Sequence, residues 1–280
     1  MHRGPRRLRP LEPAPAARAR HPARRGGGRG VRTAGVKKSQ LKPWLQKQWC
    51  LSKLDGEYLA KLEDVLDLYA QPAEPGRARL CFDERPCQLL GDKLAALPAR
   101  PGHMAKQDHE YVRHGTAVVL LAYDLDTGQR YAQVRARRTK ADYADFLHHL
   151  LTTHYADARQ VALVQDNLNT HAYGSFYAHL PAAQARALSR QVRFHFTPKH
   201  GSWLNMAELE FSALARQCLN RRIASIEDLT HQVEAWAAER NQRAVKVNWS
   251  FTVANAQEKM GHWYGKVNSV NKPKPEPEAL

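Results

Sequence analysis

The sequence predicts an α/β fold, a mixed five-stranded sheet with helices on its faces. Two observations lead there. The spacing of apolar residues switches between period two and period 3.6, and the resulting elements run three strands, helix, strand, helix, strand, helix. Strands joined by short turns pair antiparallel and strands separated by helices run parallel, so this order puts both kinds of pairing in one sheet. A chain of 280 residues can bury one sizeable core with small appendages.

Residues 1–34, which begin "MHRGPRRLRPLEPAPAARARHPARRGGGRG", are built from Arg, Pro, Ala and Gly. That composition cannot repay the entropy of ordering, so a disordered basic leader is expected. It reads either as an arginine-rich tether for nucleic acid or as an unstructured start. Residues 35–75 hold the basic, aromatic "LKPWLQKQWC" and then a helix over 55–72. There Tyr58, Leu59, Leu62, Leu66 and Tyr69 recur at helical spacing and Pro72 ends the run. The acids Glu57, Glu63, Asp64 and Asp67 are expected on its solvated face.

Residues 76–224 carry the sheet. "ARLCFDERP" (78–86) reads as a strand, and residues 115–139 read as two strands about a turn at Asp126-Thr127-Gly128. Residues 140–157 are helical through Tyr143, Phe146, Leu147, Leu150 and Leu151. "VALVQDN" (161–167) is the short apolar run of a strand covered on both faces. A helical stretch at 172–190, broken near Pro181, leads to the alternating strand "VRFHFTP" (192–198) and then to a helix starting at Asn205. Residues 225–264 form a C-terminal helical extension. Its helix at 225–244 opens with Ser225 and Asp228 in capping-box spacing. Residues 265–280 read as a disordered tail.

The net charge is +16, of which residues 1–32, with ten Arg and one Glu, supply +9. The remaining +7 still favours a polyanionic partner. No apolar run approaches the ~20 residues that span a bilayer, so no membrane is expected. The four cysteines, Cys50, Cys81, Cys87 and Cys218, stand in no common zinc spacing and read as reduced thiols.

Three acids carry the functional reading. Asp83 lies inside the first strand, after Leu80, Cys81 and Phe82, and Asp166 follows "VALV" at the end of the fourth. Ligands of open α/β sheets collect where strands end at their carboxyl edges, and an acid in an apolar strand is costly without compensation. Taken singly, Asp166 reads as a cap and Asp83 as a partner for Arg85. Glu208 stands three residues after Asn205, which is capping-box spacing. On a helical wheel it shares a stripe with Ser212, Ala215 and Leu219, beside Phe211 and Cys218, and is expected to face the sheet. Glu210 falls about 200° away on a mixed face and is expected to pair at the surface. Together the three oxygen donors suit Mg²⁺ or Mn²⁺. Their mutual repulsion raises proton affinity until a cation offsets it. Two such ions, roughly 3.5–4 Å apart, activate water or a DNA 3′-hydroxyl for in-line attack on a phosphodiester.

"CFDERP", "VALVQDNLNTH" and "FHFTPKHGSWLNMAELEFSALARQCLNRR" resemble the three catalytic blocks of bacterial insertion-sequence transposases of the mariner-type superfamily. Those are DDE/D enzymes with a ribonuclease H-like core. The resemblance runs from about residue 41 to about residue 262. It implies that Asp83, Asp166 and Glu208 are the catalytic, metal-binding triad, with Mg²⁺ or Mn²⁺, two ions, as cofactor. The family's Asn-Pro-Ile-Glu run stands here as Asn205-Met206-Ala207-Glu208, without the proline. The resemblance further implies cleavage of both strands at inverted repeats and joining of the 3′ ends to target DNA, typically at a TA dinucleotide. Double-stranded DNA is then the partner, a homodimer the acting form, and the bacterial cytoplasm, on the nucleoid, the location, with no small-molecule substrate. Family members begin with helix-turn-helix modules. Only the end of that region, near "VKKSQLKPWLQKQWC", has a counterpart here, which implies intact chemistry with impaired end recognition. Two other outcomes stay open, a catalytically silent DNA-binding remnant and a ribonuclease H-like nuclease that hydrolyses without joining.

Further residues are DNA-contact candidates. Asn167, Asn169, His171, Lys199 and His200 can position phosphates or the attacking group, though both histidines also suit structural roles. Trp203 can stack on a base or anchor a turn. Arg135, Arg137 and Arg138, placed on a strand, contact the DNA backbone or form a solvated edge.

Overall fold

The computed structural model describes residues 54–268. The expectations for the leader, for "LKPWLQKQWC" and for residues 269–280 lie outside them. Five strands, β1 (Arg77–Asp92), β2 (Tyr111–Asp124), β3 (Arg130–Arg135), β4 (Gln160–Gln165) and β5 (Val192–Phe196), form one sheet in the order β3-β2-β1-β4-β5. β2 is antiparallel to β1 and β3, while β4 runs parallel to β1 and β5. This is the mixed five-stranded sheet that the element order predicts.

Alternation along β1 divides the core. Leu80 and Phe82 join one apolar layer with α2 (Lys140–His154), α3 (Tyr173–His179) and α4 (Ala182–Gln191). Cys81 joins the other, with α1 (Gly56–Ala70), α5 (Met206–Gln217) and α6 (Ile226–Gln242). A last helix, α7 (Val253–Val267), starts at Thr252 with both arms of a capping box to Asn255 and lies against α1, where Tyr264 donates to Glu63 at 2.7 Å. Among the described residues no helix is long and apolar enough to cross a membrane.

Three local expectations change. β1 continues past Pro86 to Asp92. Its pairing with β4 stops at Cys81, so beyond that point β1 has β2 alone as a paired neighbour and a residue without an N–H is tolerated. Of the acids of α1, Glu57, Asp64 and Asp67 are exposed as expected and Glu63 alone is partly buried; Asp64, while exposed, also meets His195 Nδ1 of β5 at 2.8 Å, tying the helix to the sheet. Arg137 and Arg138 lie beyond the end of β3, in the loop that leads to Thr139, the N-cap of α2.

Candidate active site

β1 and β4 pair in parallel as far as Cys81 and Val164. Asp83 and Asp166 each stand two residues further on, so the two acids project from the same level of neighbouring strands. The segment after β4 is bound back by Gln165, a fully buried side chain. It receives Tyr143 Oη at 2.7 Å and donates to the His171 carbonyl at 3.2 Å. β5 adds a hydrogen bond from Thr197 N to the Gln165 carbonyl at 2.9 Å.

Glu208 arrives on the second layer. After β5 the chain turns through His200, with φ of 64°, and Gly201, where a Cβ would lie 2.6 Å from Pro198 Cγ, so the closed turn needs glycine. Asn205 then caps α5. Its side chain accepts from Ala207 N at 3.1 Å and donates to the Phe82 carbonyl at 2.8 Å. The cap of α5 is thereby fastened to the residue before Asp83. The capping box with Glu208 does not form, which leaves that carboxylate uncommitted to the helix end.

The wheel reading of the two glutamates is corrected. The inward face of α5 is Ala207, Glu210, Phe211 and Leu214, at helical spacing. Glu210 is the buried one, 2.9 Å from Nη2 of the equally buried Arg130 and 3.2 Å from Nη2 of Arg240. It clamps α5 to β3 and α6. Glu208 is half-buried at the flank of the helix, on the side nearer Asp83.

The three acids share one electrostatic field. The Asp83 carboxyl is pushed up to about 7, first by burial, then by repulsion from Glu208 and Asp166, against the lowering pull of the Glu84 N–H and of His171. His171, fully buried, has Nε2 3.2 Å from Glu84 Oε1 and Nδ1 2.5 Å from Asp166 Oδ1. Carboxylates at both ring nitrogens outweigh its burial and push it up to about 9. Glu84, with its side chain 2% exposed, was not singled out from sequence. The signal was present, since period two puts it on the apolar face with Leu80 and Phe82. For Arg130 and Arg240 the sequence offers none.

The donor set fits a hard divalent cation. It is all oxygen and carries excess proton affinity, and Asp166 Oδ1 is buried with His171 as its close neighbour and no formed hydrogen bond. As they stand, however, no three His, Cys, Asp or Glu side chains among the described residues are arranged to hold a metal ion. Asp83 Oδ1 accepts from Glu84 N at 2.8 Å and Asp166 Oδ1 lies 2.5 Å from His171 Nδ1, which leaves the second oxygen of each carboxylate for an ion.

Beside Asp166 opens a cleft of about 490 Å³, lined among others by Asn167, Lys199, His200 and Lys61. Lys61 comes from α1 and was not predicted. Asn169 is exposed on the same loop but outside that lining. Trp203, 45% exposed, stacks 6.5 Å from Trp249 and meets Phe251 edge-on. Arg135 bonds Gln133 on the edge strand, and Arg138 reaches Glu84 Oε2 at 3.6 Å.

Residues 78–230 match the family model described as DDE superfamily endonuclease. No curated protein matches the sequence. Among solved structures, the chain is similar to the Mos1 mariner paired end complex with Mn at 16% identity and a TM-score of 0.47, covering 81% of this chain and 67% of that one. It is similar to the catalytic domain of Mos1 mariner transposase at 13% identity and a TM-score of 0.47, covering 82% and 100%. For the Mos1 strand transfer complex the values are 15% and 0.49, covering 85% and 68%.

Proposed function

Because this chain belongs to the DDE superfamily endonucleases, we propose that it is a transposase of mariner type, cutting DNA at the ends of its element and joining those ends to a target. The observation that carries the reading is that acids from three elements meet in one field: the Asp83 carboxyl, at the level of Asp166 on the neighbouring strand, is raised first by burial and then by repulsion from Glu208 and Asp166. A buried carboxylate facing two others is a site that positive charge would stabilise.

Asp83, Asp166 and Glu208 would hold Mg²⁺ or Mn²⁺. When bound, a pair of such ions supplies an activated oxygen nucleophile and stabilises the leaving oxygen of the phosphodiester. The residues of the chain do the rest. Lys199, Lys61 and His200 line the cleft beside Asp166, where a phosphate backbone gains charge-assisted contacts. Asn167 presents an amide at its mouth. His171 keeps the Asp166 side chain on one side of its backbone, and Asn205 keeps the start of α5 against β1. Joining follows cutting at the same acids, with the freed 3′-hydroxyl replacing water. A dimer on paired DNA ends is part of this reading.

The test uses labelled DNA from the flanks of the reading frame, with Mn²⁺ or Mg²⁺. Metal-dependent nicking is expected, abolished in Asp83→Ala, Asp166→Ala and Glu208→Ala, together with a slower-migrating joined product. Cutting without joining would reduce the protein to a nuclease. DNA binding with no cutting under any divalent ion would make it a silent remnant.

A further inference from the structure

Glu84 and His171 form a buried polar chain that packing alone does not call for. Both side chains lie in the layer of Phe82 and Tyr143, whose rings meet the imidazole at 5.3 and 4.9 Å. An apolar pair would fill that space without removing an acid and an imidazole from water. The chain has a direction. It begins at Arg138, 3.6 Å from Glu84 Oε2, passes through Glu84 Oε1 to His171 Nε2 at 3.2 Å, and ends at Asp166, where His171 Nδ1 hydrogen-bonds the backbone carbonyl at 3.2 Å and lies 2.5 Å from the carboxylate Oδ1. Asp166 itself is 39% exposed at the end of a strand, and nothing else fixes its Oδ1.

We propose that Glu84 and His171 are positioning residues that act through Asp166, orienting its carboxylate towards a divalent cation. Glu84 sets the ring plane and the donor of His171, and His171 sets the rotamer of Asp166. Neither touches the ion or the DNA. The inference rests on the reading of Asp166 as a ligand and adds what holds that ligand. Outer partners of this kind typically contribute 10–100-fold to metal affinity. Glu84 is suited to the part because it directly follows Asp83 in β1, and its backbone N–H holds Asp83 Oδ1 at 2.8 Å. One residue thus connects to two of the three acids.

The experiment is Mn²⁺ titration of the full chain, read by the electron paramagnetic resonance of free Mn²⁺, with thermal melting alongside. Glu84→Gln and His171→Gln are each expected to weaken Mn²⁺ binding about tenfold. The double variant should be no weaker than the weaker single one, because the two residues act in series. His171→Ala, which keeps no donor, should be worse than His171→Gln. Wild-type affinity in a folded Glu84→Gln protein overturns the proposal, and so do fully additive effects. Should His171→Gln fail to fold, Glu84→Gln, near-isosteric, decides alone. If Asp166→Asn binds Mn²⁺ as the wild type does, the ligand reading itself falls. Failure of only the Glu84 and His171 variants to respond leaves that reading standing.

Discussion

Glu210 and Arg130 meet at 2.9 Å with both side chains closed off from solvent, while Glu208, two residues earlier, stands half-open beside Asp83. A single turn of one helix therefore carries one acid for the fold and, on the proposed reading, one for the site. Glu210→Ala would strand the Arg130 guanidinium in the core and is expected to cost about 3–5 kcal/mol. Glu208→Ala should change stability by less than about 1 kcal/mol, as changes away from buried networks do. Denaturant unfolding of the two variants checks this. Equal losses would mean that the acids are misassigned.

Asn205→Ala removes a cap and a tether at once. Loss of the cap is typically worth ~1 kcal/mol, and the stranded Phe82 carbonyl adds ~1–3 kcal/mol. Metal-dependent cutting should fall by more than this loss of folded protein accounts for, because Glu208 loses its fixed distance from β1. Asn205→Asp, which keeps the cap but offers no donor to Phe82, separates the two roles. It should return only the cap's share of stability and leave cutting impaired, and full recovery of cutting would show the tether to be dispensable.

The raised Asp83 carboxyl has a stability signature. Its folded value of about 7 exceeds the ordinary 3.8, so between those limits the native state holds a proton that the unfolded chain has released. Stability then falls as pH rises through that window. Without divalent ions, Asp83→Asn should melt higher than the wild type at pH 8 and show little difference near pH 4. Parallel melting curves at both pH values would contradict the shared field of the three acids.

Lys199 and Lys61 line the cleft next to Asp166. If they neutralise phosphates, alanine at either position should lower the slope of log affinity against log salt by about 0.9 for duplex DNA, across all sequences. An unchanged slope for both would move the backbone path elsewhere.

Much of this was legible in the sequence because its patterns are short-range. The switch of period placed the five strands and the main helices of the sheet region, though not the short 3-10 turn at Ser202–Leu204, and the acids stood out by interrupting apolar runs. What escaped depends on distant partners. Glu210 was placed at the surface because the wheel ranks faces by composition, and Arg130, 80 residues away, is what makes its inward position tolerable. Arg137 and Arg138 were assigned to a strand because nothing in "QVRARRT" marks where pairing with β2 stops. Lys61 entered the cleft through the docking of α1, a contact between elements that no local pattern encodes.

The hydrogen bond from Asn205 to Phe82 also decides what can change over evolutionary time. The start of α5 takes its place from the first strand and not from the strand that immediately precedes it, so the connection through residues 197–204 need not set that distance. Insertions or deletions there can drift between relatives and still leave the third acid in register, whereas a one-residue slip of the first strand would not be forgiven.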